Sequence, residues 1–314
     1  MMKILFTGGS SFTGYWFIKE LAEGGYDVHA TFTGGGVEDY AGVRAERVRK
    51  LQEFCTPVWD CVFGQQNFLE LIQQQTDWDV LCHHAANVTD YKSNDFDIGA
   101  ALSANTFNLR VTLETLLTSG CKKVVLTGSV FEQNEGAGEQ PLRAFSPYGL
   151  SKGLTSEVFK YWCQIMGFSL GKFVIPNPFG PHEEARFTSY LVNSWMNGKK
   201  AGVNTPAYVR DNIHVSLLAG AYRAFVQNLD THTGFEKVNP SGYVESQGAF
   251  AQRVAYEMKN RLDLPCVLEL GHQTVFDEPM TRVNYDRVDL EVDQWSESAA
   301  WDQLAEFYLT RSPI

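Results

Sequence analysis

Short apolar runs alternate with longer amphipathic segments through the first half of the chain. The apolar runs predict strands near residues 3–7, 27–33, 56–62, 79–83, 123–127 and 169–175. The segments between them predict helices near residues 14–24, 40–53, 66–75, 98–119 and 147–166. Strands and helices that alternate in this way form a parallel sheet with right-handed crossovers and helices on both faces. The pattern therefore predicts an α/β fold of Rossmann type, with a doubly wound parallel sheet.

The alternation ends near residue 176. Beyond it, prolines, glycines and the stretch Gly271-His272-Gln273 interrupt the pattern, as expected of a smaller lobe that covers a substrate. We therefore assign residues 1–175 to the Rossmann domain and residues 176–314 mostly to a C-terminal substrate-binding lobe. The two are expected to be interleaved, with the chain returning to the first domain near residues 211–228. With 314 residues, 44% of them hydrophobic, the chain can bury a full core.

Charge and cysteine content restrict the class of protein. The formal net charge of −11 argues against nucleic acid or an anionic membrane as a partner, because such binding needs a basic face. An anionic substrate would therefore need a local basic pocket. The six cysteines show neither zinc-site spacing nor a compact disulfide framework, which is typical of a reducing cytoplasm. No apolar run reaches the length that a membrane-spanning helix needs.

A glycine-rich turn follows the first predicted strand. The sequence Thr7-Gly8-Gly9-Ser10-Ser11-Phe12-Thr13-Gly14 leads from that strand into a helical segment. Strand, glycine-rich turn and helix N-terminus together form an arrangement that binds a pyrophosphate through backbone amides and the helix dipole. The alternative is a plain strand-to-helix turn. The residues that we interpret as cofactor-binding here are Gly8, Ser10, Ser11, Phe12 and Gly14.

A second motif, Ser146-Pro147-Tyr148-Gly149-Leu150-Ser151-Lys152, begins the helix predicted near residue 147. Ser146 fits an N-cap and Pro147 fits the first helical position. Tyr148 and Lys152 are then four residues apart on one helix face. A neighbouring ammonium and the helix N-terminus both favour phenolate, so we expect a lowered Tyr148 pKa that suits proton transfer.

The Tyr-x-x-x-Lys spacing alone is weak evidence, because short motifs recur by chance. Tyr15 and Lys19 repeat it on the first helix. No hydroxyl-bearing strand accompanies that pair in the sequence, whereas a cofactor motif and such a strand precede Tyr148. We therefore interpret Tyr148 and Lys152 as the catalytic pair, and the pair at Tyr15 as coincidence.

Several short motifs follow one another in an order that is itself informative. After the glycine-rich turn come Asp60-Cys61-Val62, His83-His84-Ala85-Ala86, Asn105, Val124–Phe131, Asn177-Pro178-Phe179-Gly180-Pro181 and Arg210–Val215. Any one of these is weak evidence, but together and in this order they are strong evidence. They resemble the extended short-chain dehydrogenase/reductase family, especially its nucleotide-sugar epimerases, dehydratases and ketoreductases. The family usually has a glycine where Ser11 stands.

The resemblance implies a role for each matched residue. Thr127 matches the catalytic hydroxyl beside Tyr148, and Ser129 is the second choice. Lys152 is also implied to bind the nicotinamide ribose. The further cofactor-binding residues that the resemblance implies are Asp60, Cys61, His83, Ala85 and Asn105. The implied substrate-binding residues are Asn177, Arg186 and Arg210, with Arg210 as the best candidate for a diphosphate.

The tip of the second strand bears on the choice between NAD and NADP. NAD enzymes usually carry an acid there, which binds the ribose 2′-hydroxyl. Here the tip has the sequence Thr31-Phe32-Thr33-Gly34-Gly35-Gly36, and Asp27 lies at the wrong end of the strand. Arg44 and Arg47 follow within reach of a 2′-phosphate; alternatively, they are solvated helix charges. These features favour NADP over NAD, with Thr33 and Arg44 as cofactor-binding residues.

The resemblance implies a cytoplasmic NAD(P)-dependent nucleotide-sugar oxidoreductase. Sugar 4,6-dehydratases of this family carry an Asp-Glu pair after the catalytic threonine, where this chain has Gly128 and Ser129. A dehydratase is therefore disfavoured. We expect a 4-ketoreductase that acts on a nucleotide-diphosphate sugar. The alternatives are a 4-epimerase that uses the same residues and a non-catalytic dinucleotide sensor.

Two further expectations concern assembly and metals. Dimers of this family pair two long helices from each subunit, and the matching segments carry more apolar side chains than one inward face needs. A homodimer is therefore expected. His83, His84 and His214 match structural positions of the family, so no metal site is expected.

Overall fold

A computed structural model of the chain describes residues 1–232, 234–290, 292 and 294–311. Strands β1 to β8 are Lys3–Thr7, Asp27–Thr31, Thr56–Val58, Val80–His83, Lys123–Ser129, Ala137–Gly138, Ser169–Ile175 and Asn177–Phe179. Strands β9 to β16 are Ala201–Val203, Val209–His214, Phe235–Val238, Pro240–Ser241, Tyr243–Ser246, Leu268–Leu270, Thr281–Val283 and Asp286–Arg287. Helices α1 to α10 are Phe12–Glu23, Gly42–Leu51, Gln66–Gln74, Ile98–Asn105, Leu109–Thr118, Pro147–Met166, Phe187–Met196, Val215–Asn228, Gln247–Leu262 and Glu297–Leu309.

Seven parallel strands form the central sheet, in the order β11-β7-β5-β4-β1-β2-β3. The chain starts in the middle of the sheet at β1 and winds outward to both edges, so the predicted Rossmann-type α/β fold is confirmed. Six of the seven strands are those that the apolar pattern predicts. The seventh, β11, lies at an edge with three of its four residues exposed, and therefore lacks a buried-strand pattern.

Helices cover both faces of the sheet because both faces carry apolar side chains. One face packs against α1 and α8, in a cluster that includes Phe17 and Leu218. The other packs against α3, α5 and α6, in a cluster that includes Leu113 and Phe159. The carboxyl ends of β1, β4 and β5 share one edge of the parallel sheet, which is where such folds bind ligands.

The helix predicted near residues 98–119 is instead two helices, α4 and α5. The chain enters α5 through Asn108, whose φ of 50° lies in the left-handed region that asparagine tolerates better than most residues. Its side chain donates to the Gly64 oxygen at 2.9 Å. Leucines continue on both sides of the break, so the hydrophobic pattern alone does not reveal it.

A third apolar cluster is formed by α7, α9 and α10, and includes Leu191, Phe250 and Trp301. A smaller sheet has the order β13-β10-β15-β6, with β8 beside β10. Helix α8 packs against α1 instead, so the chain beyond residue 176 contributes to the central sheet as well as to this cluster. No helix in the described part of the chain combines the length and apolar character that crossing a membrane requires.

Candidate active site

The glycine-rich turn connects β1 to α1 at the carboxyl edge of the sheet. Gly8 has a φ of 83°, and a Cβ at this position would lie 2.7 Å from the Ala85 nitrogen. Glycine therefore allows the turn to lie directly against the residues that follow β4. Ser11 caps α1 by accepting the Gly14 amide at 3.0 Å. Its side chain thus has a structural role at a position where the family usually has glycine.

The amino end of α1 presents unbonded amides. Within the described residues, the amides of Phe12 and Thr13 have no hydrogen-bond partner. Such amides, together with the positive end of the helix dipole, bind phosphate groups. The residues present therefore fit the pyrophosphate of a nicotinamide dinucleotide.

Two arginines lie beside this helix end. Arg44 donates from Nη2 and Nε to Ser10 Oγ, at 2.7 and 3.0 Å, and its guanidinium lies 5.1 Å from the centre of the Tyr40 ring. Arg186 lies 5.9 Å from the centre of the Phe12 ring and keeps 40% of its side chain exposed. The amino end of α1 therefore has two cationic side chains beside it, which favour an anionic ligand on an otherwise acidic protein.

Arg47 has a different role from the one predicted. It is fully buried, and it donates to the Ser10 oxygen at 3.1 Å and the His182 oxygen at 2.7 Å. Its remaining terminal nitrogen pairs with Glu184. The prediction that Arg47 could bind a 2′-phosphate is therefore wrong. The sequence could not show this, because two of the partners of Arg47, His182 and Glu184, lie more than 130 residues further along the chain.

Acidic side chains lie beside the tip of β2, although the tip itself carries none. The Gly35 amide donates to Asp39 at 2.6 Å, and the carboxylate of Asp60 faces the same glycine. Thr33 is exposed at the tip, and Cys61 is buried next to Asp60. Sequence reasoning missed Asp39 because a short 3₁₀ turn brings it back towards the strand. An acid is therefore present near the position where a ribose would lie.

Tyr148 and Lys152 lie at the amino end of α6, as predicted. Ser146 is the N-cap and accepts the Gly149 amide at 3.2 Å. The Tyr148 ring makes an edge contact with Tyr91, at 5.5 Å between ring centres. Lys152 is buried and donates to the main-chain oxygen of Thr127 at 2.6 Å. The lysine is thus fixed to strand β5.

The pKa values of the pair are shifted by burial. Burial raises the pKa of Tyr148 well above its usual value, and the nearby charge of Glu132 raises it further. Burial lowers the pKa of Lys152 to about 8, against the opposing influence of Glu132. The expected lowering of the Tyr148 pKa is therefore wrong for the chain without cofactor. Desolvation of the phenol outweighs the opposing charge of Arg186, which lowers the pKa.

The two candidate hydroxyls lie at different places on β5. Thr127 is 3% exposed, and its Oγ1 lies 2.9 Å from Nδ1 of His84. Ser129 is the last residue of the strand, and its Oγ accepts the Phe131 amide at 3.2 Å. Its own amide donates to Glu132 at 2.7 Å. Ser129 therefore ends the strand at the carboxyl edge of the sheet, where it is 6% exposed, whereas the Thr127 hydroxyl is hydrogen-bonded inside the sheet.

Sequence reasoning missed a buried ionic cluster behind β5. Lys172 lies 2.6 Å from Glu132 and 2.7 Å from Glu135, and Glu135 also pairs with Lys237 at 2.9 Å. These carboxylates keep the pKa of Lys172 raised despite its burial. The available signal was a lysine within an otherwise apolar strand, which requires a partner because an unpaired buried charge is unstable.

Three residues that match family motifs fix the loop after β4. Nδ1 of His83 and the amide of Ala85 each lie 3.1 Å from Thr7 Oγ1. Asn105 accepts the Asn87 amide at 2.8 Å. These contacts hold the loop against β1, next to the glycine-rich turn.

The three histidines of the matched motifs are uncharged at neutral pH. Burial lowers the pKa of His83, His84 and His214 to about 3 each. Among the residues that the structure describes, no group of three or more His, Cys, Asp or Glu side chains could hold a metal ion.

Asn177 and Arg210 lie on the neighbouring parallel strands β8 and β10. Asn177 donates to the Asp211 oxygen at 3.1 Å. Arg210 is 5% exposed and donates to Glu278 Oε2 at 2.8 Å and to the Pro279 oxygen at 3.0 Å. A diphosphate that binds Arg210 would therefore have to displace the Glu278 carboxylate.

The parallel sheet, the glycine-rich turn before α1 and the Tyr-x-x-x-Lys helix together define a short-chain dehydrogenase/reductase. The sequence profile of the NAD dependent epimerase/dehydratase family matches residues 4–239, so the chain belongs to that family of NAD-dependent enzymes. Among curated proteins, no sequence matches the chain significantly.

Solved structures share the fold over nearly the whole chain. UDP-glucose 4-epimerase from Bifidobacterium longum, in complex with NAD+ and UDP, has a TM-score of 0.75 and 19% identity, with 99% of each chain covered. UDP-glucuronic acid 4-epimerase from Bacillus cereus has a TM-score of 0.74 and 16% identity, with 98% of each chain covered. A dTDP-glucose 4,6-dehydratase from Streptomyces venezuelae has a TM-score of 0.71 and 16% identity, covering 98% of this chain and 97% of that one.

Proposed function

We propose that the protein reduces the 4-keto group of a nucleotide-linked sugar. The observation that carries this proposal is the Tyr148 phenol at the amino end of α6, with Lys152 one turn further along and bonded to the Thr127 main-chain oxygen at 2.6 Å. A phenol placed in this way can donate its proton to the oxygen of a carbonyl that is being reduced. A 4-ketoreductase is therefore the first candidate.

The chain supplies the proton and orients the substrate. A bound dihydronicotinamide would supply the hydride to the carbonyl carbon. Tyr148 donates its hydroxyl proton to the sugar oxygen, which becomes an alcohol, and is itself left as phenolate. Lys152 stabilises that phenolate by its charge and binds the nicotinamide ribose. The substrate oxygen is held by Thr127 or Ser129.

A 4-epimerase is the second candidate. Epimerases from Bifidobacterium longum and Bacillus cereus share the fold, and both were solved with NAD. An epimerase first removes a proton from the sugar hydroxyl and later returns one to the same oxygen, so it would use Tyr148 as base and then as acid. A dehydratase lacks support because Gly128 and Ser129 offer no acid–base pair. A sensor is disfavoured because both Tyr148 and Lys152 are present.

NADPH is the cofactor that we propose. Arg44 lies at Ser10 with its guanidinium exposed enough to meet a 2′-phosphate. Asp39 is the competing observation, since an acid beside the ribose favours NAD. The solved relatives contain NAD, which also weighs towards it.

The substrate that we propose is a nucleotide-diphosphate sugar. Its candidate contacts are Asn177, Arg186 and Arg210. Arg210 would first have to leave its ion pair with Glu278.

We propose a cytoplasmic location. Five of the six cysteines are buried and all six are free thiols, which fits a reducing cytoplasm.

Identifying the cofactor separates the candidates. Freshly purified protein is denatured, and the released dinucleotide is identified by mass spectrometry. If the protein is a ketoreductase, we expect it to purify with little bound cofactor. We also expect it to oxidise NADPH when it is given a nucleotide-linked 4-keto sugar. Stoichiometric NAD, with interconversion of 4-epimers and no net oxidation, would establish the epimerase instead. Dinucleotide binding without turnover of either substrate would favour the sensor.

A further inference from the structure

His84 joins two parts of the site that are distant in the sequence. It follows β4 directly, and its ring lies between the glycine-rich turn and strand β5. Nε2 lies 2.9 Å from Ser11 Oγ and 3.1 Å from Thr13 Oγ1. Nδ1 lies 2.9 Å from Thr127 Oγ1. Both ring nitrogens are therefore hydrogen-bonded.

Packing fixes the orientation of this ring. The rings of Phe6 and Phe17 pack against the imidazole, with ring centres 5.8 and 5.3 Å from that of His84. A Cβ added at Gly14 would lie 3.1 Å from Cδ2 of the imidazole. The ring is thus enclosed between the sheet and the first turn of α1, where it cannot rotate without breaking these contacts.

The bonds around Ser11 determine which ring nitrogen carries the hydrogen. The Ser11 hydroxyl accepts the Gly14 amide and donates its own hydrogen to the Gly8 oxygen at 3.0 Å. With that hydrogen on the Gly8 oxygen, Ser11 offers His84 a lone pair, and this arrangement favours the tautomer that carries the hydrogen on Nε2. The ring is neutral, so Nδ1 is bare and accepts the hydrogen of the Thr127 hydroxyl.

We propose that His84 is a positioning residue that couples the phosphate-binding turn to the Tyr–Lys pair. The connection runs from Ser11 through His84 to the Thr127 side chain, and from the Thr127 main-chain oxygen to the Lys152 amine at 2.6 Å. This inference rests on the proposed use of the turn for a dinucleotide and of Lys152 in proton transfer.

One consequence concerns the substrate oxygen. Because Thr127 donates its only hydroxyl hydrogen to His84, it has none left to donate to a carbonyl. Ser129, the last residue of β5, becomes the hydroxyl that holds the substrate oxygen. Thr127 then serves to position Lys152, and Ser129, the second choice from the sequence, takes the catalytic role first assigned to Thr127.

The cofactor-free protein provides the first test. Nitrogen-15 NMR of histidine-labelled protein reports the tautomer of each ring, and the His84→Gln variant identifies the signals of His84. We expect an Nε2–H tautomer that does not titrate between pH 5 and 9, and an Nδ1 signal that shifts in Thr127→Val. An Nδ1–H tautomer, or a titration near pH 6.5, would overturn the inference.

Two conservative variants provide the second test. In His84→Gln the side-chain amide reaches the Nε2 position, and in His84→Asn it reaches the Nδ1 position. We expect His84→Gln to keep the cofactor Kd within about twofold and to lower kcat about tenfold, the equivalent of one lost hydrogen bond. We expect His84→Asn to show the reverse, with a Kd raised about tenfold and a smaller change in kcat.

A matched control separates coupling from packing. His29 is buried on β2 against Trp78, away from the turn, and His29→Gln should change neither Kd nor kcat. Equal losses of Kd and kcat in both His84 variants would show that His84 only fills space, and would overturn the proposal. If no nucleotide sugar is turned over by the wild type, the proposed function fails, but the NMR and cofactor-affinity measurements still decide the role of His84.

Discussion

Nζ of Lys172 lies 2.6 Å from Oε2 of Glu132, in an ion pair with almost no exposed surface. The other oxygen of Glu132 accepts the amide of Ser129, so the pair stands directly behind the end of β5. Gly128 leaves room for it, since a Cβ there would lie 2.7 Å from Cε of Lys172. Gly128, which stands where the dehydratases carry an acid, therefore leaves room for the buried Lys172. Lys172 in turn holds Glu132 against the end of β5, next to the candidate active site.

Replacing Lys172 by methionine should destabilise the protein strongly. Lys172→Met leaves Glu132 and Glu135 buried without their shared partner, and removing one member of a buried pair costs about 3–5 kcal/mol. Methionine has a similar shape, so little of the loss would come from a cavity. Urea denaturation measures the free energy of unfolding. Lys160→Met is the control, because this exposed lysine should change stability by about 0.5 kcal/mol or less. A loss as small as that in Lys172→Met would contradict the prediction.

The sequence predicts those features that depend on residues close together in the chain. The strand pattern and the cap at Ser146 are local, and each lies where the sequence places it. The turn at Gly8 is local as well, although α1 begins at Phe12, earlier than the predicted helix near residue 14. The placement of Tyr148 and Lys152 on one face of the same helix follows from their spacing of four residues. Local hydrogen bonding and hydrophobic periodicity determine all of these, and both are visible in a short window of sequence.

Features that depend on distant partners were not predictable in this way. Arg47 binds Glu184, 137 residues away, and nothing near either residue indicates the other. The link between Ser11 and His84 spans 73 residues. Charge and polarity show that such side chains need partners, but only the fold decides which partners they meet. The same limit explains why Tyr148 was expected to have a lowered pKa, since its burial is a tertiary property.

Replacing Tyr148 by phenylalanine should nearly abolish turnover and leave cofactor binding almost unchanged. Tyr148→Phe removes the proton donor but keeps the ring that contacts Tyr91 and Phe96. Loss of a general acid lowers kcat by about 10²–10⁴-fold. Stopped-flow turnover and calorimetric cofactor titration measure the two quantities. Tyr15→Phe is the matched control, because that buried tyrosine belongs to the other Tyr-x-x-x-Lys. Near-normal turnover of Tyr148→Phe would remove the residue from the mechanism.

Arg44 should determine a preference for NADPH over NADH. If its guanidinium binds the 2′-phosphate, Arg44→Ala weakens NADPH binding by about 1.5–3 kcal/mol, the range for a hydrogen bond to a charged group. NADH has no such phosphate and should bind almost as before. Fluorescence titration with both cofactors gives the affinities, and the exposed Arg49 on the same helix gives the control variant Arg49→Ala. Equal wild-type affinity for the two cofactors would refute the preference and favour the epimerase.

Removing the Glu278 carboxylate should strengthen binding of a nucleotide diphosphate. Glu278 is half exposed and competes for Arg210, and an ion pair of this kind is worth at most about 1 kcal/mol. Glu278→Ala should therefore lower the Kd for UDP by up to about fivefold. Asp277→Ala removes the same charge from the same loop and should have a much smaller effect. Calorimetry measures both. Weaker binding in Glu278→Ala would mean that Arg210 only holds the loop and does not meet the ligand.

The exposed apolar surface of α5 and α6 should form a homodimer interface. These helices pack side by side, and the exposed fractions of Val111, Tyr161 and Ile165 lie between 44% and 60%. Exposed apolar side chains on two adjoining helices favour contact with a partner. Ile165→Glu should therefore convert a dimer to a monomer at micromolar concentration, because it places a charge inside the interface. Sedimentation velocity measures the change. Tyr256→Glu, at an exposed aromatic residue on α9, should leave the dimer intact, and a monomeric wild type would refute the prediction.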